Sequence, residues 1–134
     1  MTRYLLDTNV ISGLMREPQG RIFERIQDVG VASIYTSIVV AGELRFGAAK
    51  RASERLAVEV EAILGRIIVA PLGPTVDRIY AEIRRRLEVE GRSIGANDLW
   101  IASQALHDGS VVVTDNAGEF SRIAGLNVEN WVRD

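Results

Sequence analysis

Short apolar runs recur along this chain, each followed by a stretch of helical periodicity, and that alternation constrains the fold more than any other feature of the sequence. Tyr4-Leu5-Leu6, Ile67-Ile68-Val69-Ala70 and Val111-Val112-Val113 have no polar residue at every second position. A strand without that alternation is buried on both faces, which is the condition of a parallel sheet covered by helices on either side. Between the runs lie amphipathic segments long enough for helices. The expected architecture is therefore α/β: a mostly parallel central sheet in a three-layer sandwich with helices on both faces.

Taken in order, a strand over Arg3–Leu6 precedes a short helix from Val10 to Arg16, broken before Pro18. A second helix is expected from Gln19 to Asp28, stopped by Gly30, then a strand over Val31–Thr36 with Ser37 as an N-cap. The next helix runs from Ile38 to Lys50, with Val39, Val40, Leu44, Phe46 and Gly47 expected on its packed side. A helix over Ser53–Leu64 with a stripe of Leu56, Val60, Ile63 and Leu64 leads to a buried strand at Ile67–Ala70. Pro74 suits the first turn of a helix over Thr75–Glu90, whose Val76, Ile79, Tyr80, Ile83 and Leu87 make the cleanest amphipathic pattern. The stretch from Ser93 to Leu106 opens as a glycine-containing loop and becomes an Ala-rich helix. A strand over Ser110–Thr114, a turn or short helix near Gly118–Phe120, a last strand at Leu126–Val128 and a packed Trp131 complete the chain. With 134 residues, no repeat and no linker, residues 1–134 read as one domain.

The composition excludes several chemistries. Cysteine is absent and His107 is the sole histidine, so there is no disulfide framework and no thiolate or imidazole metal cluster; a metal would be held by oxygen. The net charge of −2 gives no global basic field for nucleic acid. No leader and no apolar segment near the roughly 20 residues of a membrane span is present, so no membrane association and a cytoplasmic location are expected.

Against that background, several acidic or amide residues occupy positions where packing favours apolar side chains. Asp7-Thr8-Asn9 ends the first strand, and Thr114-Asp115-Asn116 ends a late one. Glu43 lies three or four residues from Val39, Val40, Phe46 and Gly47, and Asp98 heads a stripe of Ile101, Ala102 and Ala105. Each has a structural alternative. Asp7, Thr8 or Asn9 could cap the following helix, Glu43 could pair with Arg45 or Lys50, Asp98 could satisfy first-turn N–H groups, and Asp115, Asn116 and Gly118 could form a polar turn. Taken jointly they suggest convergence at the carboxyl edge of the sheet, where ligand crevices form. Crowded carboxylates there call for a hard divalent cation, Mg²⁺ or Mn²⁺, and such a centre suits phosphodiester hydrolysis. Arg84, Arg85 and Arg86 read as a solvated helix face, with contact to RNA phosphates as the alternative; Arg92 joins them. His107 reads as a surface residue.

The segments DTN at 7–9, SIVVAGELRFGA with Glu43, GANDLWIASQAL with Asp98, and VVVTDNAGEF before LNVENW resemble the PIN domain, specifically the VapC-type ribonuclease toxins of bacterial toxin–antitoxin pairs. The resemblance implies a PIN fold and a Mg²⁺- or Mn²⁺-dependent endoribonuclease with Asp7, Glu43 and Asp98 as catalytic, metal-binding residues, supported by Thr8, Asn9 and Thr114. The family's fourth acidic position falls on Asn116, so the implied fourth ligand is Asn116 through its amide oxygen, or Asp115 or Glu119 in its place. It further implies a homodimer, structured RNA such as tRNA as substrate, and a small VapB-like antitoxin whose tail covers the acidic pocket. Two competing readings are a Mg²⁺-dependent phosphatase or receiver-like α/β domain, and a catalytically weak PIN-like binding module.

Overall fold

A computed structural model describes residues 1–133. The elements in chain order are β1 (Tyr4–Leu6), α1 (Thr8–Arg16), α2 (Arg21–Val29), a single 3₁₀ turn (Val31–Ser33), β2 (Ile34–Ser37), α3 (Ile38–Lys50), α4 (Glu54–Leu64), β3 (Val69–Ala70), α5 (Val76–Val89), α6 (Ala96–Asp108), β4 (Val111–Val113), α7 (Ala117–Phe120) and β5 (Asn127–Glu129). The five strands form one sheet in the order β3-β2-β1-β4-β5. Every pairing is parallel, so the expected sheet type holds throughout the described strands.

The central strand is β1, in register with β2 on one side (Leu5 opposite Tyr35) and β4 on the other (Leu5 opposite Val112). Leu5, Leu6, Val112 and Val113 are fully buried, which is why these short runs carry no alternating polar residues. From β1 the chain first builds outward to β2 and β3, then returns across β1 to place β4 and β5 on the opposite side. The order thus reverses between β1 and β4. A crevice outside the carboxyl ends of those two strands is the geometric consequence of that reversal.

Several boundaries depart from expectation for identifiable reasons. The first helix starts at Thr8, two residues early, because the Asp7 side chain caps it. The second begins at Arg21 after Gly20, and Gly30 ends it at φ +92°, a backbone conformation that side-chain-bearing residues resist. Val31–Ser33 is a 3₁₀ turn rather than the start of a strand: the Ser33 hydroxyl donates to the carbonyls of Val29 (3.0 Å) and Gly30 (2.8 Å), which holds the chain in a turn until Ile34. Only Val69–Ala70 of the expected third strand pairs, and it is a sheet edge with Ile68 exposed, so it is not the doubly buried strand that its composition suggested. Helix α5 starts at Val76, since Thr75 holds a left-handed φ of 77° that places it and Pro74 before the helix. The last strand is shifted by one residue, to Asn127–Glu129.

The packed side of α3 is Val40, Ala41, Leu44 and Ala48; Phe46, expected there, is 67% exposed. Ser37 does cap this helix, its hydroxyl accepting from the Val39 N–H at 3.0 Å. Trp131 is buried and its ring lies 5.3 Å from that of Tyr4, so the last described residues pack onto the sheet. No helix among the described residues is long and apolar enough to cross a membrane.

Candidate active site

The crevice is built outward from Asp7. As N-cap of α1, Asp7 accepts the Thr8 N–H at 2.8 Å on Oδ1, while Oδ2 accepts the hydroxyl of Thr114 at 2.8 Å and the amide of Asn9 at 3.3 Å. Asp7 therefore caps α1, and the cap fixes the rotamer that presents its carboxylate at the end of β1. Thr114, at the end of β4, is fully buried and binds Asp7 across the strand pair where the sheet order reverses. Asn9 closes the arrangement by accepting the Asp115 N–H at 2.9 Å, and the Asn116 N–H donates to the Thr114 hydroxyl oxygen at 2.9 Å. The two polar strand ends form one hydrogen-bonded unit.

Glu43 arrives from α3. Its Oε1 accepts the Thr8 hydroxyl at 2.6 Å and its Oε2 accepts the Asn97 amide at 3.3 Å. Neither of the suggested partners holds it: Arg45 instead forms a two-point pair with Glu61 on the outer surface. Asp98, in the first turn of α6, accepts the Asn116 amide on Oδ2 at 3.4 Å, and the same amide nitrogen donates in a short hydrogen bond to Glu119 of α7. Asn116 thus bridges two carboxylates as a donor.

Electrostatics tie the four acids into one group. Burial pushes the Asp98 carboxyl up to about 7, and the charges of Asp7, Glu119 and Glu43 push in the same direction. Burial likewise raises Asp7, with a further upward push from Glu43, against the downward effect of hydrogen bonds from Thr114, Thr8 and Asn9. Burial first, and neighbouring carboxylates second, disfavour negative charge at these two groups. The available donors are carboxylate, amide and hydroxyl oxygens, a set matched to Mg²⁺ or Mn²⁺ and unsuited to softer ions. The side chains stand apart, separated by Thr8, Asn97 and Asn116: among the described residues no three acidic or histidine side chains form a ready metal-holding group.

Asp115 lies outside this group. Its two oxygens are taken by the Arg133 guanidinium at 2.6 and 2.7 Å and by Asn130 at 3.2 Å, and Arg133 holds its carboxyl below the usual range. The expectation that Asp115 faces the crevice is not met, since a guanidinium on the outer side of the loop captures it. Glu119 does face it, through Asn116 and Asp98. Arg84, Arg85 and Arg86 are exposed and paired with Glu82 and Glu88 on their own helix, and Arg92 lies 4.0 Å from Glu90. Asn97 was not singled out by the sequence; its signal was an amide directly before Asp98 at a helix start. His107 is at the surface beside Asp108, 2.9 Å away.

An all-parallel α/β domain with an acidic crevice at the point of strand reversal defines a class of proteins working on ligands at the carboxyl edge of a sheet. The model of the PIN domain family matches residues 4–126. The chain is 33% identical to Ribonuclease VapC2 of Haemophilus influenzae over 98% of this chain and all of that one. It is 31% identical to the tRNA(fMet)-specific endonuclease VapC of Shigella flexneri, over 98% of this chain and 99% of that one. Among solved structures, that of VapBC2 from Rickettsia felis bound to a DNA fragment from its promoter superposes with a TM-score of 0.89 at 30% identity, over 97% of this chain and 99% of the matched chain. The chain belongs to the PIN domain family, and within it to the VapC-type toxins of type II toxin–antitoxin systems.

Proposed function

We propose that this chain, acting as one PIN domain over residues 1–134, is a Mg²⁺- or Mn²⁺-dependent endoribonuclease and the toxin of a toxin–antitoxin pair. The observation that carries the reading is the convergence of Asp7, Glu43, Asp98 and Glu119 from four separate elements, with Asp98 raised to about 7 by burial and by the charges of the other three. These oxygens would hold a divalent ion, which would supply Lewis acidity for hydrolysis of a phosphodiester. Asp7 contributes an oxygen whose direction is fixed by the α1 cap and Thr114. Glu43 contributes one held by Thr8. Asp98 would contribute a carboxylate oxygen from the first turn of α6. Glu119 takes the place of the fourth acid, with Asn116 orienting it and Asp98 through one amide.

The substrate reading is structured RNA. It is supported by identity to an endonuclease named for tRNA(fMet). A small VapB-like antitoxin as partner is supported by the VapBC complexes that share this fold, one of them solved on promoter DNA. The family resemblance adds a homodimer.

The test is incubation of purified, antitoxin-free protein with a panel of tRNAs and messages. Cleavage is expected with Mg²⁺ or Mn²⁺ and not with EDTA, and Asp7→Asn or Asp98→Asn should slow it by at least about 100-fold, beyond the usual loss for a residue that only supports a ligand, while the circular dichroism spectrum is unchanged. Undiminished cleavage by both variants would falsify the assignment.

A further inference from the structure

Glu43 differs from the other acids of the crevice in how it is held. Asp7 is fixed by its own backbone cap and by buried Thr114. Glu43 projects from the middle of α3 between two openings: a groove of about 550 Å³ shared with Thr8, Met15 and Arg16, and a shallow surface depression of about 360 Å³ shared with Val39, Phe46 and Asn97. A glutamate with three side-chain torsions and open space on two sides has several rotamers to choose from. Its carboxylate is nevertheless occupied at both oxygens, by a hydroxyl from α1 and by an amide from α6.

Resting on the reading above, we propose that Asn97 is a positioning residue for Glu43, working as a pair with Thr8 to aim the α3 carboxylate at the ion that Asp7 and Asp98 also meet. Thr8 gives its backbone N–H to Asp7 and its hydroxyl to Glu43, so one residue sets the relation between two acids. Asn97 is the immediate neighbour of Asp98, so its amide sets the relation between Glu43 and the third. Both donors are neutral. They satisfy one lone pair on each Glu43 oxygen and leave the other free for a cation, which an arginine or lysine here would instead replace. Asn97 is exposed, and shortening its side chain to alanine removes little packing; its effect should therefore fall on Glu43 and not on the fold.

The experiment is a calorimetric titration of Mn²⁺ into the full-length protein without RNA, with melting temperature measured on the metal-free samples. Asn97→Ala is expected to weaken Mn²⁺ binding by about 10-fold, the usual loss when a ligand's orienting partner is removed, with the metal-free melting temperature unchanged. Thr8→Ser should bind as the parent does, and Thr8→Val should lose about as much as Asn97→Ala. In a Glu43→Ala background Asn97→Ala should cost nothing further, because its target is gone. Equal Mn²⁺ affinity of the parent and Asn97→Ala, or the same loss from Asn97→Ala with Glu43 absent as with it present, overturns the assignment. If Asn97→Ala unfolds, Asn97→Ser and the Thr8 pair carry the same decision. A parent protein that binds no Mn²⁺ removes the metal reading itself and this assignment with it, an outcome distinct from the other two.

Discussion

Asp98 is an acid among acids, and its protonation couples the crevice to the stability of the whole chain. Its carboxyl rises from an ordinary value of 3.8 to about 7 in the fold, so the folded state prefers the neutral form. A raised acid contributes stability that is fully present below its unfolded value, about 4, and is lost as pH climbs through the folded value. Asp7 is shifted in the same direction. Metal-free protein should accordingly melt at progressively lower temperature as pH rises from about 4 to about 7, and Asp98→Asn should flatten most of that slope, leaving a smaller part from Asp7. Saturating Mn²⁺ at pH 8 should raise the melting temperature of the parent and do little for Asp98→Asn, since an ion stabilises only the state that binds it. Thermal melts at three pH values with and without Mn²⁺ make the comparison. A slope of the opposite sign in the metal-free parent would mean that Asp98 is better solvated than its neighbours allow.

At the scale of elements, α6 does two jobs with one helix. Its amino end presents Asn97 and Asp98, while Ile101, Ala102 and Ala105 are completely buried. The site is therefore only as well placed as that stripe is packed. Ile101→Ala should cost about 2–5 kcal/mol in a urea unfolding curve, as large-to-small changes at closed core positions do, and a value below 1 kcal/mol would show that α6 is docked elsewhere. The same helix shows why much of the site was legible before its coordinates. An acid at the head of a buried apolar stripe has one direction to point, and 3.6-residue periodicity reveals it. Asp7 and Thr114 were legible for a similar reason, since strand ends are marked by where apolar runs stop. What could not be read were relations across elements. Phe46 fits the helical spacing of α3 as well as Leu44 does, yet is exposed, because the width of a helix's packed face is set by its neighbours. Ile67–Ala70 looks as buried as Val111–Val113, and its edge position depends on the strand order rather than on its composition. Asn116, with Asp115 or Glu119 in its place, was the candidate for the fourth position, and nothing in the local pattern shows that Arg133 pairs with Asp115.

For the whole molecule the question is how a chain of net charge −2 attracts RNA. Many of its surface arginines pair with its own acids: Arg45 with Glu61, Arg55 with Glu59, Arg84 with Glu88, Arg85 and Arg86 with Glu82, and Arg133 with Asp115, while Arg16 and Arg51 line the groove beside Glu43. Helix α5, the most basic segment, carries four arginines and three carboxylates, so its field beyond about one Debye length of 8–10 Å is weak. Exposed pairs of this kind are weak in water and can open, but the glutamates stay beside any phosphate that replaces them. Affinity for RNA should then come chiefly through the acidic crevice and its cation, with few direct phosphate contacts. Each phosphate neutralised by a side chain adds about −0.9 to the slope of log K against log salt on duplex and about −0.7 on single strands. Binding of a cleavage-defective Asp7→Asn protein to a target RNA at fixed Mg²⁺, measured across NaCl concentrations, is expected to give a slope no steeper than about −2, that is, two or three phosphates. Replacing Arg84, Arg85 and Arg86 together by alanine should leave that slope within one phosphate of its starting value. A slope near −5 that collapses in the triple variant would instead make α5 the RNA-binding face and its glutamate pairs a resting arrangement released by substrate.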